Sequence, residues 1–180
     1  MRVPAERIHR LAYPQVPLIM AASARGRVSA MPVSSYMFIS SDPPLLGVAC
    51  DPQAYTYGLA SKAGAFSLCV VDRKWAKEME VLARTSGRGV SDKLAAAGLK
   101  HHAGPKLGVP ILDESAAALE CRVQSRKRLG DHTFVVAQVE AAEARGAFSE
   151  FWNFQKYDPI LYTGWQGGLK LYQAGPARRR

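Results

Sequence analysis

Hydrophobic and polar residues alternate with a period of two along most of this chain, which is the pattern of strands that bury one face. The alternation predicts strands over 16–23 and 28–40. Between them, Ala24-Arg25-Gly26-Arg27 has the composition of a hairpin turn with Gly26 at positive φ. Further strands are predicted over 45–50, 66–71, 119–124 and 132–142. The chain is therefore predicted to be mainly β, with about six antiparallel strands in one curved sheet.

Helical periodicity is restricted to three short segments, at 55–62, 74–85 and 91–97. In the second segment Trp75, Met79 and Leu82 are spaced to lie on one face of a helix. In the third, Ser91 is placed to be the N-cap and Gly98 to end the helix. A closed or partly closed barrel with these short helical inserts is the economical way to protect the edges of such a sheet.

The composition is that of one soluble globular domain, with 180 residues, 48% hydrophobic and 22% charged. The chain has no run of about 18 apolar residues, and its first ten residues lack the regions of a signal peptide. Three cysteines without a CxxC pair, each inside an apolar strand, are expected to be buried free thiols in a reducing compartment. A cytoplasmic protein with no membrane span is therefore expected.

The net charge of +9 is large enough to suggest a polyanionic partner. Three of the positive charges are the arginines at 178–180, in a tail after Gly175-Pro176 that is predicted to be disordered. A second cluster comprises Arg122 and Arg126-Lys127-Arg128. No aromatic residues are interleaved with this cluster for base stacking, so a barrel that binds nucleic acid is only a third interpretation.

The sequence lacks the signatures of common nucleotide, metal and hydrolase sites. Gly87-Arg88-Gly89 is the one GxG, and it has neither a third glycine nor a preceding strand. No GxxxxGK[ST] and no GxSxG occurs. No metal site is predicted either, because metal-ligand spacing is missing among the four histidines, His9, His101, His102 and His132.

Four stretches carry more polar character than a plain barrel needs. In 29–36, hydroxyl-bearing residues surround a proline that removes one backbone donor, although a surface strand with serines facing water is the alternative. In 51–56 a strand runs into a helix N-terminus, which favours an anion, and in 91–93 a lysine follows another helix start. In 130–133 a histidine suited to proton transfer follows a tight turn. A plain helix cap, a solvated lysine and a structural histidine are the alternatives for these three.

In this order and spacing, the four stretches resemble the flavin reductase-like family, whose members are FMN-binding split β-barrels of antiparallel Greek-key type that work as homodimers. The similarity runs from about residue 13 to residue 172. It is carried by Ala30-Met31-Pro32-Val33-Ser34-Ser35-Tyr36, Ser41-Asp42-Pro43-Pro44-Leu45-Leu46, the segments 56–66 and 91–99, Gly130-Asp131-His132-Thr133 and Asp158-Pro159-Ile160-Leu161-Tyr162, the last as the closing strand. The resemblance implies one FMN-binding split-barrel domain over 1–175, followed by the basic tail at 176–180.

The resemblance also implies which residues contact the cofactor. The implied flavin contacts are Pro32, Val33, Ser34, Ser35, Ala49, Cys50 and Asp51. The phosphate is expected near Tyr55, Thr56 and Lys93, in agreement with the electrostatics of both helix starts. Ser91 is a further implied cofactor contact. His132 is assigned to the nicotinamide side of the flavin, as the catalytic residue. The chain departs from the family pattern at Met31, where a small polar residue is usual, and at Asp92, which interrupts a Ser-Lys pair.

The activity that the resemblance implies is that of an NAD(P)H:FMN oxidoreductase, with FAD as the alternative flavin. Such an enzyme transfers hydride from the nicotinamide cofactor to the flavin and supplies reduced flavin or electrons to a partner such as an oxygenase. The alternative is an FMN electron carrier without its own NAD(P)H site. A homodimer is expected. The candidate residues for dimer or pocket-lid contacts are Phe151, Trp152, Phe154 and Tyr157, for which a satellite core cluster is the other interpretation.

Overall fold

The computed structural model describes residues 2–165 and 169–171. Its strands are β1 (Leu18–Ala24), β2 (Arg27–Val33), β3 (Tyr36–Ser41), β4 (Pro44–Cys50), β5 (Ala65–Val70), β6 (His101–Ala103), β7 (Pro110–Leu112), β8 (Ala117–Leu129), β9 (His132–Ala144), β10 (Tyr162–Trp165) and β11 (Leu169–Leu171). The α-helices are α1 (Tyr55–Ala63), α2 (Ala76–Arg84) and α3 (Lys93–Ala96), and short 3-10 helices lie at Ala5–Ala12, Arg73–Trp75 and Gly87–Gly89. None of the described helices is long and apolar enough to cross a membrane.

Seven strands form one antiparallel sheet in the order β2-β1-β5-β8-β9-β4-β3. In a flat sheet of this size the edge strands β2 and β3 would lie roughly 29 Å apart. They are nevertheless consecutive in the chain, joined only by Ser34 and Ser35, and such a link spans at most roughly 11 Å. The sheet therefore curls until its two edges meet at these serines. It forms an open antiparallel barrel with short helical inserts, so the predicted fold class is confirmed.

The central strands are buried on both faces, and the buried side chains form two hydrophobic clusters. Alternate residues of β1 separate between them, with Met20 in the barrel interior and Ile19 in the outer cluster. The outer cluster packs the sheet against α2 and α3 through Met79 and Leu94. The three cysteines are buried and free, as predicted. Burial raises the pKa of the Cys50 thiol to about 12, so this thiol stays protonated.

The predicted helices are present, with one correction. Gly64 ends α1 in the left-handed conformation at φ 68°, and Gly98 has φ 75° after α3. The N-cap of α3 is Asp92 rather than Ser91, because the Asp92 carboxylate accepts the Ala95 N–H at 3.0 Å. Ser91 is instead tied to β2, since its carbonyl accepts the Val28 N–H at 2.8 Å.

The predicted strand over 28–40 is wrong as a single element. It is two strands, β2 and β3, which pair with different neighbours on either side of Ser34 and Ser35. The hairpin of β8 and β9 is longer than predicted and contains two register shifts. The predicted closing strand begins only at Tyr162, in β10. The basic tail at 176–180 lies outside the described residues.

The 3-10 helix after α2 is packed closely onto the barrel at Gly87. A Cβ atom at this glycine would lie 2.5 Å from Ser29 Oγ and 2.7 Å from Tyr55 Cδ1. At Gly89, in the same turn, a Cβ atom would meet nothing within 4 Å. Because Ser29 is on β2 and Tyr55 begins α1, glycine at 87 lets the segment approach both elements.

We expect Gly87→Ala to lower the free energy of unfolding by about 1–3 kcal/mol, as overpacking of a close contact does. The matched control, Gly89→Ala, is expected to leave it unchanged or to raise it by up to about 1 kcal/mol, since alanine restricts the unfolded chain. Urea unfolding of both variants measures the difference. Equal losses of stability in the two variants would contradict the close packing at Gly87.

Candidate functional site

A first cleft of about 510 Å³ lies between the end of β2, the start of α1 and the segment that follows α2; we call it the helix-side cleft. Pro32 and Ser34 line it from the barrel, and Tyr55 and Thr56 line it from α1. The Thr56 hydroxyl is buried and lies 2.9 Å from Ser29 Oγ, so it fastens α1 to β2. Four of the residues predicted to contact the cofactor are thereby brought into one cavity.

The start of α1 makes this cleft attractive to an anion. The N-cap of this nine-residue helix, Ala54, provides no side-chain hydrogen bond. Among the described residues, no backbone acceptor pairs with the amides of Tyr55, Thr56 and Tyr57. Free amides at a helix N-terminus and the helix dipole both favour negative charge.

Lys93 contributes a buried cation to the same cleft. Only 5% of the residue is exposed, and its ammonium group donates to Ala30 O on β2 and to Leu82 O in the last turn of α2, both at 2.7 Å. Burial lowers the pKa of this amine to about 8. An ammonium group has three N–H donors, so one donor is left for a ligand that reaches the cleft.

The cleft wall formed by 84–88 was not predicted from the sequence. Arg84 pairs with Glu80 at 2.8 Å. Arg88 donates to Gln53 O at 2.8 Å, and its guanidinium lies 5.8 Å from the centre of the Tyr55 ring. The signal was two arginines with two hydroxyl residues in Arg84-Thr85-Ser86-Gly87-Arg88. This segment does not have the spacing of a glycine-rich nucleotide fingerprint.

A second cleft of about 790 Å³ lies beside the hairpin of β8 and β9; we call it the hairpin-side cleft. Ser34, Ser35, Ala49 and His132 line it, so it adds three predicted residues to those of the helix-side cleft and shares Ser34 with it. Its other lining residues are His9, Ala12, Tyr13, Gln15, Tyr36, Met37, Asp131, Phe134 and Tyr162, most of which the sequence did not mark as site residues. Ser34 and Tyr162 also line the helix-side cleft, so the two clefts meet at the seam of the barrel.

His132 stands at the rim of the hairpin-side cleft with 47% of its side chain exposed. Its Nδ1 atom lies 2.8 Å from the carboxylate of Asp131. The hydrogen bond from His132 holds the pKa of Asp131 below its usual value. Nε2 makes no hydrogen bond with any residue in the described part of the chain, which leaves it available to a ligand.

The remaining predicted contacts have side chains outside both clefts. Val33 and Cys50 point into the barrel core, because neighbouring strand residues face opposite sides. Asp51 is exposed, and its carboxylate accepts the Gln53 N–H at 2.8 Å in the turn before α1. Ser91 is exposed beside β2. Within the described residues no group of three histidine, cysteine or acidic side chains could hold a metal ion.

The sequence matches the family model described as the flavin reductase like domain over residues 9–163. An uncharacterised protein of Aeropyrum pernix is 32% identical over 164 residues, which are 91% of this chain and 62% of that protein. A protein of Rhizobium meliloti named "Probable flavin reductase" is 29% identical over 131 residues, which are 73% of this chain and 40% of that protein. The chain thus spans less than two thirds of the length of either relative.

Solved structures share the whole fold. The FMN-binding protein of Thermus thermophilus with bound 1-cyclohex-2-enone has a TM-score of 0.77 and 29% identity, and the match covers 98% of this chain and 97% of that chain. Flavoredoxin from Methanosarcina acetivorans has a TM-score of 0.81 at 21% identity, over 99% of this chain and 95% of that chain. The implied split β-barrel is confirmed by such likenesses. Because the family model matches residues 9–163 of a chain of 180, the chain belongs to the flavin reductase like domain family.

Proposed function

We propose that this chain binds FMN along the two joined clefts and transfers hydride to it from NAD(P)H. The observation that carries the proposal is the order of groups along the groove. A buried lysine and an uncapped helix N-terminus lie at one end, Ser34 and Ser35 lie at the seam, and His132 lies at the other end. Membership of the family and the likeness to an FMN-binding protein of Thermus thermophilus support the same assignment.

The helix-side cleft fits the phosphate end of FMN. Lys93 has one N–H donor to spare, and the first amides of α1 have no partner among the described residues. A phosphate dianion would accept from both and would offset the cost of keeping the lysine charged in a buried position. The arginines at 84 and 88 add positive potential at the cleft wall, although both already have protein partners. The volume of the cleft, about 510 Å³, is in the range of ordinary ligand pockets.

The seam residues fit the middle of such a cofactor. Ser34 lines both clefts, and the carbonyl of Ser35 accepts the Ala49 N–H at 2.8 Å, which fixes the backbone of the link. The hydroxyl and amide groups of the link can hydrogen-bond a flat polar ligand. A flavin bound here would supply the hydride acceptor, and FAD is the alternative flavin.

At the hairpin-side cleft the proposed task of the protein is to position the nicotinamide. The bond between His132 Nδ1 and Asp131 orients the imidazole and leaves Nε2 to hydrogen-bond the incoming cofactor or to hold a proton. Tyr36 and Tyr162 add aromatic surface to the same cleft. We propose that the electrons then leave through reduced flavin to a partner such as an oxygenase.

An FMN electron carrier without its own NAD(P)H site is the second candidate function, and the flavoredoxin-like fold is the observation that favours it. Anaerobic mixing with NADH and NADPH separates the two functions, because a carrier would keep the absorption of oxidised flavin. Nucleic-acid binding is less well supported. Arg122 is paired with Glu140 at 2.9 Å, and the rest of the basic cluster lies exposed on the β8–β9 hairpin, outside both clefts.

The phosphate assignment predicts that Lys93→Met weakens FMN binding about ten- to hundredfold, which is the effect of losing a charge-assisted hydrogen bond. Riboflavin, which lacks the phosphate, should bind both proteins equally. FMN affinity of the parent should fall as pH rises through about 8, since Lys93 loses its proton there, and this dependence should vanish in the variant. Flavin fluorescence titrations measure both effects.

Lys77→Ala, an exposed lysine on α2, is the control for the Lys93 variant. It should bind both flavins as the parent does. At a hundredfold excess over Kd, FMN should also raise the free energy of unfolding of the parent by about 2.7 kcal/mol. Equal binding of FMN and riboflavin by the parent would exclude Lys93 as a phosphate contact.

The role of His132 predicts that His132→Ala keeps FMN affinity within a few fold of the parent. Flavin reduction by the preferred nicotinamide should slow at least about tenfold, as loss of a positioning or proton-transfer group does. Anaerobic stopped-flow absorption measures the rate. His102→Ala is the control, because this histidine is similarly exposed and lies 2.7 Å from Asp113, outside both clefts.

A purely structural His132 would give another pattern. Since His132 is paired with Leu129 at the β8–β9 turn, the variant would then lose melting temperature and flavin together. The flavin that remained bound would be reduced at the parental rate.

We also propose a homodimer. Of the candidate rings, Trp152 and Tyr157 pack on each other at 4.5 Å, as in a satellite cluster, while Phe151 is 79% exposed. The edge strand β3 adds Phe38, which is 60% exposed. Its chain neighbours Met37 and Ile39 are exposed apolar residues as well. An edge strand with apolar side chains needs a cover in solution, and a second copy of the chain provides one.

Sedimentation at micromolar concentration should give about twice the chain mass of 19.6 kDa. Phe38→Asp and Phe151→Asp should each weaken association, because each places a charge on a covered apolar surface. Val81→Asp, on the exposed side of α2, should have no effect. A clean monomer of the parent protein would exclude the dimer.

A further inference from the structure

His101 is connected to Lys93 through a single carboxylate, although it lines neither cleft. Its Nε2 atom lies 2.7 Å from Oδ2 of Asp92. The other oxygen of Asp92 accepts the Ala95 N–H at 3.0 Å and so caps α3. Lys93 is the first residue of that helix. The carboxylate therefore links the histidine to the helical turn that carries the buried lysine.

The position of the Lys93 ammonium depends on this first turn. Helix α3 has only four residues, too few to be stable by itself, so its cap and its tertiary contacts decide whether it forms. The residues before it are tied to β2, since Ser91 O accepts from Val28 N and Val90 O accepts from Arg27. The Asp92 cap therefore joins the first turn of α3 to a segment that is itself held against β2.

We propose that His101 is a positioning residue for the anion-binding end of the helix-side cleft, acting through Asp92 on the first turn of α3 and on the Lys93 ammonium. The assignment of that end to a phosphate rests on the proposed function. The connection from His101 to Lys93 rests on the hydrogen bonds alone. His101 touches no ligand in this arrangement, and its effect on the cleft is carried by the backbone of α3.

The charge on Asp92 strengthens the connection. Burial by itself would raise the pKa of this carboxyl, but the hydrogen bonds from His101 and from the Ala95 amide outweigh it and hold the pKa below its usual value. An ionised carboxylate is a stronger acceptor for a helix N-terminal amide than a neutral one. Removal of His101 leaves Asp92 ionised at neutral pH, but it removes the hydrogen bond that orients the carboxylate toward the Ala95 amide, and so it loosens the cap.

The neighbouring histidine provides a matched control. His102 makes a contact of the same kind and length, Nδ1 to Asp113 at 2.7 Å. Adjacent residues of a strand face opposite sides, so His102 faces away from α3, and neither it nor Asp113 lines a cleft described above. A general need for histidine–aspartate pairs on β6 would affect both variants, whereas positioning of Lys93 affects only one.

The first measurement uses the flavin-free protein. Acylation of Lys93 by acetic anhydride, followed by mass spectrometry of the modified peptide, reports how often the buried amine becomes accessible. His101→Ala and Asp92→Ala should each raise the rate about fivefold, as loss of an N-cap would. His102→Ala should leave it unchanged. His101→Gln keeps an N–H donor and should restore the parental rate.

The second measurement compares the affinities for FMN and riboflavin. His101→Ala should weaken FMN about fivefold and leave riboflavin unchanged. The double variant of His101→Ala and Asp92→Ala should be no weaker than Asp92→Ala alone, because both substitutions break the same connection. A loss of both flavins in parallel would indicate general damage to the fold and would overturn the proposal.

The outcomes distinguish the positioning role of His101 from the assignment of the cleft to a phosphate. Unchanged acylation of Lys93 in His101→Ala, or an equal change in His102→Ala, overturns the positioning role whatever the flavins do. If acylation changes as expected but the parent binds FMN and riboflavin equally, the phosphate assignment is wrong and the positioning role stands.

Discussion

The link of two residues at Ser34 and Ser35 is the constraint on which the rest of the molecule depends. It joins strands at opposite edges of a seven-stranded sheet, so the sheet has to curl until those edges meet. The edges meet without pairing with each other, and the barrel stays open there. Both clefts are lined by Ser34, one on each side of this seam. The site is therefore a direct consequence of how the barrel is closed.

The buried lysine at the helix-side cleft has a structural task as well as an electrostatic one. The last carbonyls of a helix lack partners within the helix, and Lys93 satisfies one of them in α2 while also holding Ala30 on β2. Its charge lies near the negative end of the α2 dipole, which favours the protonated form, but burial lowers the pKa to about 8. An anion in the cleft would remove most of that conflict. The walls of the cleft and its affinity for an anion thus depend on the same side chain.

The sequence pattern predicted the ends of those elements that local residues determine. The turn at Gly26 and the end of α1 at Gly64 both need a left-handed residue, and glycine marks both in the sequence. The break at Ser34 and Ser35 could not be read in this way, because the alternation of 28–40 continues across it and only strand pairing divides it. Ser91 and Asp92 are both good N-cap residues, and the choice between them depends on the Val28 N–H, which lies far away in sequence.

The candidate site was predictable to the same extent. Pro32, Ser34, Thr56, Lys93 and His132 were marked by residue type in a strand or helix context, and all five line the clefts. The sequence did not mark the wall at 84–88 or the aromatic residues of the N-terminal segment, because these residues reach the site only through tertiary packing. The alternation of side chains along a strand also limits how many residues of a motif can contact a ligand. When a run of strand residues resembles a binding motif, alternate side chains belong to the core.

The two ends of the groove differ in exposure, and this difference suits different tasks. At the Lys93 end the dielectric is low, so a charged hydrogen bond there contributes much to affinity. At the His132 end nearly half of the side chain is exposed, and its partner Asp131 is 92% exposed, so an ion pair there is screened and contributes little to binding. A ligand held by its buried end can stay bound while a second ligand exchanges at the exposed end. That division agrees with the proposed function, in which one cofactor is kept and another is turned over.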